Sequence, residues 1–303
     1  MIFPPPLKKK STIGIVATAR AVFNDDLRYA IDWLTLNGYQ VKLAKNINQK
    51  SLQFAGDDEN RALAFQEMID DRDVDAIWCA KGGYGSVRII DQINFQSLHR
   101  KPKWFIGYSD FTVIHLALNN IGVPSLHAAM AVGLAEKSEA TKIRLLEVLQ
   151  AKPLQYQLKN TNAINRPGKA SGSIIGGNLS VIYALLGSST ALDPKGKILF
   201  LEDLDEYLYH VDRMMVNLDR NYFFKHIKGL IIGSFNDMND NTDPFGKSAY
   251  QIIFDVIKDY DFPVFFGFPA GHEADNYPLI FGADVDLEIT QEHMKLNFRN
   301  GRA

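Results

Sequence analysis

Two α/β domains are the architecture this sequence predicts, and three observations carry the prediction. A length of 303 residues exceeds what one ordinary hydrophobic core covers and suits two. Short apolar runs alternate with helical patterns from Thr12 onward, as in a mainly parallel sheet covered on both faces, so the N-terminal domain is expected to be doubly wound. A polar stretch over residues 152–169, containing Pro153, Asn160, Asn162, Asn165, Pro167 and Gly168, reads as a linker between an N-terminal α/β domain at 1–151 and a second α/β domain at 170–303.

The elements follow in order. Thr12-Ile13-Gly14-Ile15-Val16-Ala17 is the first strand; a helix over 25–37, stopped by Gly38, and a strand over 39–44 complete a βαβ opening. Residues 61–70 give a helix, 75–80 a strand, 86–93 a helix, and 103–108 a buried strand. That strand delivers Ser109 to the start of a helix through Phe111–Leu118, which Gly122 stops. A helix over 138–150 leads into the linker. In the second domain a strand at 173–175 turns at Gly176-Gly177-Asn178 into a helix over 179–186, and a buried strand over 197–201 ends at Glu202. The helix over 208–218 puts Leu208, Val211, Met215 and Leu218 on one face, a core pattern. Strands at 229–232, 263–266 and 285–289 complete the domain.

Composition narrows the function. Hydrophobic residues make up 46% and charged residues 22%, the profile of a soluble globular protein. With 33 basic against 35 acidic residues the formal charge is −2, so no electrostatic case exists for nucleic acid or an anionic membrane, and a small or neutral ligand is expected. Cys79 is the sole cysteine, which excludes an intrachain disulfide framework and a cysteine-based zinc site. The first apolar run, Ile13–Ala17, is too short for a secretion signal and no stretch approaches membrane-spanning length, so a cytoplasmic protein is expected.

Ser109, between an apolar strand and a helix, occupies a place that suits a nucleophile, because the unpaired amides at a helix start stabilise negative charge. An N-cap serine would occupy the same place. Gly107-Tyr108-Ser109-Asp110-Phe111 matches the first part of a nucleophile elbow, but Phe111 stands where the second glycine belongs, which argues against an ordinary α/β-hydrolase. Gly82-Gly83-Tyr84-Gly85 follows a strand and opens a helix; it is neither the dinucleotide glycine pattern nor a P-loop, and an oxyanion loop of backbone amides stays open. Glu202 at a strand end and His272 in the loop 269–276 supply the other ingredients of a triad, although each residue type is common at such positions. Residues 237–243 imitate a calcium loop and fail it, with Thr242 in the place of the invariant glycine. No histidine or aspartate cluster has metal-ligand spacing.

Taken together, several blocks in order resemble the serine-type LD-carboxypeptidases of murein recycling, a family that includes microcin-immunity peptidases. The blocks are Pro5-Pro6-Leu7-Lys8; Phe54-Ala55-Gly56-Asp57-Asp58-Glu59-Asn60-Arg61; Ala76 through Ser86; Gly107-Tyr108-Ser109-Asp110; Gly176-Gly177-Asn178-Leu179; Leu201-Glu202-Asp203 with Asp212-Arg213; and Gly271-His272 followed by Asn276. The resemblance implies a triad split between the domains in an interdomain cleft, with Ser109 as nucleophile, His272 as base and then acid, and Glu202 as the orienting acid. It also implies oxyanion donors at Gly85 and Asp110, substrate contacts from Gly83, Tyr84, Asn178 and Lys81, and no metal or organic cofactor. The implied substrate is a murein tetrapeptide losing a terminal D-alanine. The alternatives are a detoxifying peptidase or amidase acting on a peptide-nucleotide conjugate, and a non-catalytic binder of cell-wall peptides. The partner expected besides the peptide is a second copy of the chain, as a homodimer. Lys81 departs from the usual arginine, and Ala17-Thr18-Ala19 and His127-Ala128-Ala129 depart from a frequent Pro-Ser and His-Gly-Pro.

Overall fold

In the computed structural model, which describes residues 1–299, the opening run forms strand β1 (Thr12–Val16), followed by α1 (Asn24–Leu36), β2 (Gln40–Leu43), α2 (Asp58–Asp70), β3 (Ala76–Cys79), β4 (Trp104–Gly107), α3 (Thr112–Asn120), β5 (Ser125–His127) and α4 (Glu139–Leu149). Every residue of β3 and β4 is buried, as central strands of a sheet covered on both faces must be. The helices start where side chains satisfy their free amides: Asp57 accepts from the Asn60 amide at α2, and Ser138 Oγ accepts from the Thr141 amide at α4. The strands run parallel in the order β2-β1-β3-β4-β5. The order reverses between β1 and β3, and in open α/β sheets ligands bind at such a switch point, beyond the carboxyl ends of the strands. The loops at residues 17–20 and 80–85 leave those ends, and Ser109 leaves β4 beside them.

The expected helix over 86–93 is instead two 3-10 turns, Ser86–Arg88 and Ile90–Gln92. Side chains from elsewhere in the unit hold its first peptides, as described below, and the stretch is too short to repay an α-helical nucleus.

The second unit begins inside the stretch read as a linker. Residues 152–169 contain strand β6 (Gln155–Lys159) and the start of β7 (Gly168–Asn178). The polar composition is that of an edge strand: Gln155, Gln157 and Lys159 face solvent while Tyr156 is buried. Arg166 donates to the Ile257 and Lys258 carbonyls, which anchors the remainder. There follow α5 (Leu179–Ala184), β8 (Ile198–Leu204), α6 (Leu208–Arg220), α7 (Phe223–His226), β9 (Gly229–Asn236), α8 (Ala249–Ile257) and β10 (Val264–Phe266). The Gly176-Gly177-Asn178 turn is a correction too, because β7 runs straight through it. A Cβ on Gly176 would stand 1.8 Å from the Phe200 carbonyl oxygen, so the glycine serves close approach of strands and not a turn.

The C-terminal strands divide between the units. β11 (Leu279–Phe281) pairs antiparallel with β5 and completes the first sheet, packing Phe281 against the rings of His115 and His127. β12 (Asp284–Ile289) and β13 (His293–Phe298) join the second sheet, ordered β10-β9-β8-β7-β12-β13-β6, whose first four strands are parallel and the rest antiparallel. The units are therefore Met1–Lys152 with Ala274–Gly282, and Pro153–Glu273 with the stretch from Ala283, in place of a single division at 152–169. Among the described residues no helix is long and apolar enough to cross a membrane.

Candidate active site

Strand β4 ends at Gly107, Tyr108 is extended, and Ser109 sits at φ 59°, a left-handed conformation that costs an L-residue roughly 1–2 kcal/mol. One 3-10 turn, Ser109–Phe111, then feeds α3. An N-cap residue is extended and its side chain accepts from the helix; Ser109 does neither, so the capping alternative falls. Phe111, in the place of the second elbow glycine, is accommodated because its ring lies over Gly107, where a Cβ would stand 2.7 Å from the ring. One turn into α3, buried His115 holds the same residue from behind, with Nε2 3.0 Å from the Gly107 carbonyl and Nδ1 2.7 Å from Ser125 Oγ. Burial pushes this imidazole down to about 4, so it is neutral, donating from Nε2 and accepting at Nδ1.

The glycine loop lies against this turn. A Cβ on Gly82 would stand 3.3 Å from Ser109 Cβ and 3.4 Å from its Oγ. The Asp110 carboxylate accepts from the Gly85 amide at 3.2 Å and the Ser86 amide at 2.9 Å. On the other side Arg61, whose side chain is fully buried, donates to the Gly85 carbonyl at 2.9 Å and the Thr18 carbonyl at 2.6 Å while lying 4.7 Å from the centre of the Phe54 ring. This clamp corrects one expectation: the Gly85 amide is already donated to Asp110 and is not available to an oxyanion. The amides of Gly82, Gly83 and Asp110 have no acceptor among the described residues. Tyr84 is half exposed beside the Phe54 ring. Lys81 has no carboxylate partner among the described residues.

In the second unit Glu202 is not at a strand end. It lies within β8, fully buried, where the pairing with β9 slips so that Gly233 and Ser234 oppose the single residue Glu202. Such bulges re-aim side chains next to functional sites. Ser234 Oγ accepts from the His272 amide at 2.9 Å, Asn236 donates to the His272 carbonyl, and Glu202 Oε2 lies 2.7 Å from His272 Nδ1. A carboxylate only accepts, so Nδ1 carries the proton and Nε2 is the basic nitrogen. Gly271, at φ 125°, allows the approach: a Cβ there would stand 2.3 Å from Ser234 Oγ and 3.0 Å from Glu202 Oε2. Neighbouring Asp203 is buried too, and burial together with the Glu202 charge pushes its carboxyl up to about 7 against the pull of three N–H donors. One of those donors is Asn178 Nδ2, and Asn178 Oδ1 caps α5 by accepting from the Val181 amide and the Ser180 hydroxyl. Asn178, expected as a substrate contact, thus has its amide committed to the scaffold. Glu206 pairs with His210 at 2.5 Å one helical turn on, in a more exposed setting.

Comparison with known families finds two matching segments. The LD-carboxypeptidase N-terminal domain matches residues 13–128 and the LD-carboxypeptidase C-terminal domain residues 171–287. A probable murein peptide carboxypeptidase of Bacillus subtilis (strain 168) is 32% identical over 294 residues, covering 95% of this chain and 92% of the relative. The chain belongs to the LD-carboxypeptidase family. The crystal structure of muramoyltetrapeptide carboxypeptidase from Oxalobacter formigenes matches with a TM-score of 0.87 at 28% identity, over 95% of this chain and 98% of that one. The microcin C7 self-immunity protein of Escherichia coli is 23% identical over 328 residues, covering 96% of this chain and 94% of the relative. Membership makes the chain a peptidase and so a hydrolase, with carboxypeptidase as the family's activity class. Within its LD-carboxypeptidase segments, the first carries Ser109 and the glycine loop, and the second carries the Glu202–His272 pair. Sequence reading missed Arg61, Ser234 and Asp203 as supports. Arg61 and Asp203 did stand inside quoted blocks, but nothing local signals which backbone groups a buried charge will hold.

Proposed function

We propose that this chain is a serine carboxypeptidase that removes the terminal D-alanine of an L,D-linked murein tetrapeptide. Ser109 Oγ attacks the scissile carbonyl and gives its proton to His272 Nε2. The oxyanion takes hydrogen bonds from the amide of Asp110 and those of Gly82 and Gly83. As the intermediate collapses, the amine of D-alanine leaves with the proton from His272, and a water activated by the same imidazole hydrolyses the acyl-enzyme. Glu202 holds the imidazole in the tautomer this sequence requires and offsets the imidazolium charge. The reaction needs no cofactor, and its place is the recycling of cell-wall peptides in the cytoplasm, by a chain acting as a homodimer.

The observation that carries this reading is the left-handed Ser109 at the end of β4, a conformational cost held where its Cβ and Oγ lie against the glycine loop at Gly82. A fluorophosphonate probe should label the wild-type protein and not Ser109→Ala, and mass spectrometry of a mixed murein-peptide pool should show loss of one D-alanine. Absence of labelling in a folded protein would leave a binder of cell-wall peptides as the surviving reading. The likeness to the microcin immunity protein supports a second substrate, a peptide-nucleotide conjugate, and cleavage of such a conjugate in preference to the tetrapeptide would select it.

A further inference from the structure

Arg20 follows β1 at the switch point of the first sheet. Its backbone is fixed: Arg20 bridges Phe54, the Ala21 amide donates to the Gln53 carbonyl at 2.9 Å, and the Ala55 amide donates to the Ala19 carbonyl at 3.0 Å. Its side chain lies over the glycine loop. A Cβ on Gly83 would stand 2.5 Å from Arg20 Nε, 2.6 Å from Cδ and 2.9 Å from Cγ, so any larger residue at this position would have to displace the Arg20 side chain. Arg20 is exposed and faces no carboxylate among the described residues, whereas Arg61 and Arg88 nearby are both paired with Asp58. A planar guanidinium with no acid beside it can donate two parallel hydrogen bonds to a carboxylate.

The spacing says which carboxylate. Gly82 lies against Ser109 and the next residue, Gly83, lies against the Arg20 side chain, so the two side chains meet neighbouring residues of one loop. In a peptide losing its last residue, the scissile carbonyl and the terminal carboxylate are likewise one residue apart. We propose that Arg20, lying over Gly83 one residue beyond the Ser109 contact at Gly82, binds the C-terminal carboxylate of the substrate and makes the enzyme an exopeptidase. This assignment rests on the serine carboxypeptidase reading above. It moves carboxylate recognition from Lys81 to Arg20, whose fork matches a carboxylate in two parallel bonds where an ammonium offers a point charge.

The test compares a tetrapeptide ending in free D-alanine with its C-terminal amide. Wild type should favour the acid roughly 10–100-fold in kcat/KM, the range for a charge-assisted pair. Arg20→Ala should lose that preference through KM with kcat nearly kept, Arg20→Lys should restore part of it, and Lys81→Ala should keep it. An Arg20→Ala enzyme with the wild-type acid-to-amide ratio overturns the proposal. Labelling by the fluorophosphonate separates the two readings. If Ser109 labels and Arg20→Ala leaves the ratio unchanged, Arg20 is misassigned and the serine mechanism stands. If nothing labels and neither peptide is cleaved, the enzyme reading fails, and Arg20 is decided by titrating both peptides into wild type and Arg20→Ala. Equal affinities for acid and amide in wild type overturn it, and an acid preference abolished in Arg20→Ala supports it.

Discussion

Replacing Ser109 by glycine and by alanine should give two inactive proteins of different stability. Both lose the hydroxyl, so its contribution cancels between them, and Ser109 is only partly buried, so little packing rides on its Cβ. What differs is the backbone. At φ 59° alanine keeps the left-handed cost of roughly 1–2 kcal/mol and glycine does not. Glycine gives back about 0.4–1 kcal/mol through the greater freedom of its unfolded chain. The net expectation is that Ser109→Gly exceeds Ser109→Ala by about 0.5–1 kcal/mol, or some 1–4 °C in the unfolding of a domain of this size. Thermal and urea denaturation of the paired variants, followed by circular dichroism, measure it. A Ser109→Ala protein as stable as Ser109→Gly, or more so, would show that the conformation stores no strain and would remove the observation on which the nucleophile assignment rests.

Other outcomes follow from the second unit. Glu202→Gln can still accept from His272 Nδ1 but loses the charge that stabilises the imidazolium, so kcat should fall on the order of a thousandfold or more, while Glu206→Gln, which touches only the more exposed His210 pair, should stay near wild type; the reverse ranking in steady-state kinetics would assign the wrong carboxylate. Gly271→Ala forces a Cβ toward Ser234 and Glu202 at φ 125° and should lower kcat at least about a hundredfold, since small misplacement of a catalytic group is expensive in rate; a near-normal kcat would show that the loop yields without moving His272. Asp203, with its folded pKa raised to about 7, binds protons more tightly in the native state than in the unfolded one, so its contribution to stability is present below about pH 4 and is lost as pH rises toward 7. Stability measured against pH should therefore fall for wild type relative to Asp203→Asn across that window, and parallel curves would contradict the raised pKa.

The sequence by itself determined what is local and periodic. Alternating strands and helices fixed both units as α/β because the hydrophobic period is written residue by residue, and the apolar run before Ser109 marked the strand-to-helix junction correctly. Family blocks then singled out Ser109, Glu202 and His272 from chemically similar neighbours, a selection that spacing alone did not make. Several features belonged to the tertiary structure because their causes are distant in the chain. The edge strand at 155–159 looked like a linker since polar residues suit both, and only pairing with β13, more than a hundred residues later, distinguishes them. β11 returns to the first sheet because a three-residue apolar segment finds β5, which no local pattern announces. Gly85 read as a free oxyanion donor until Asp110 took its amide, and Asn178 read as a ligand contact until Asp203 and the start of α5 took its side chain. Ser109's left-handed turn and the placing of Arg20 over Gly83 were decided the same way. A hydrogen-bonding group carries the same sequence letter whether it is spent on the scaffold or held for a substrate, and only the folded chain brings up the distant partner that decides which.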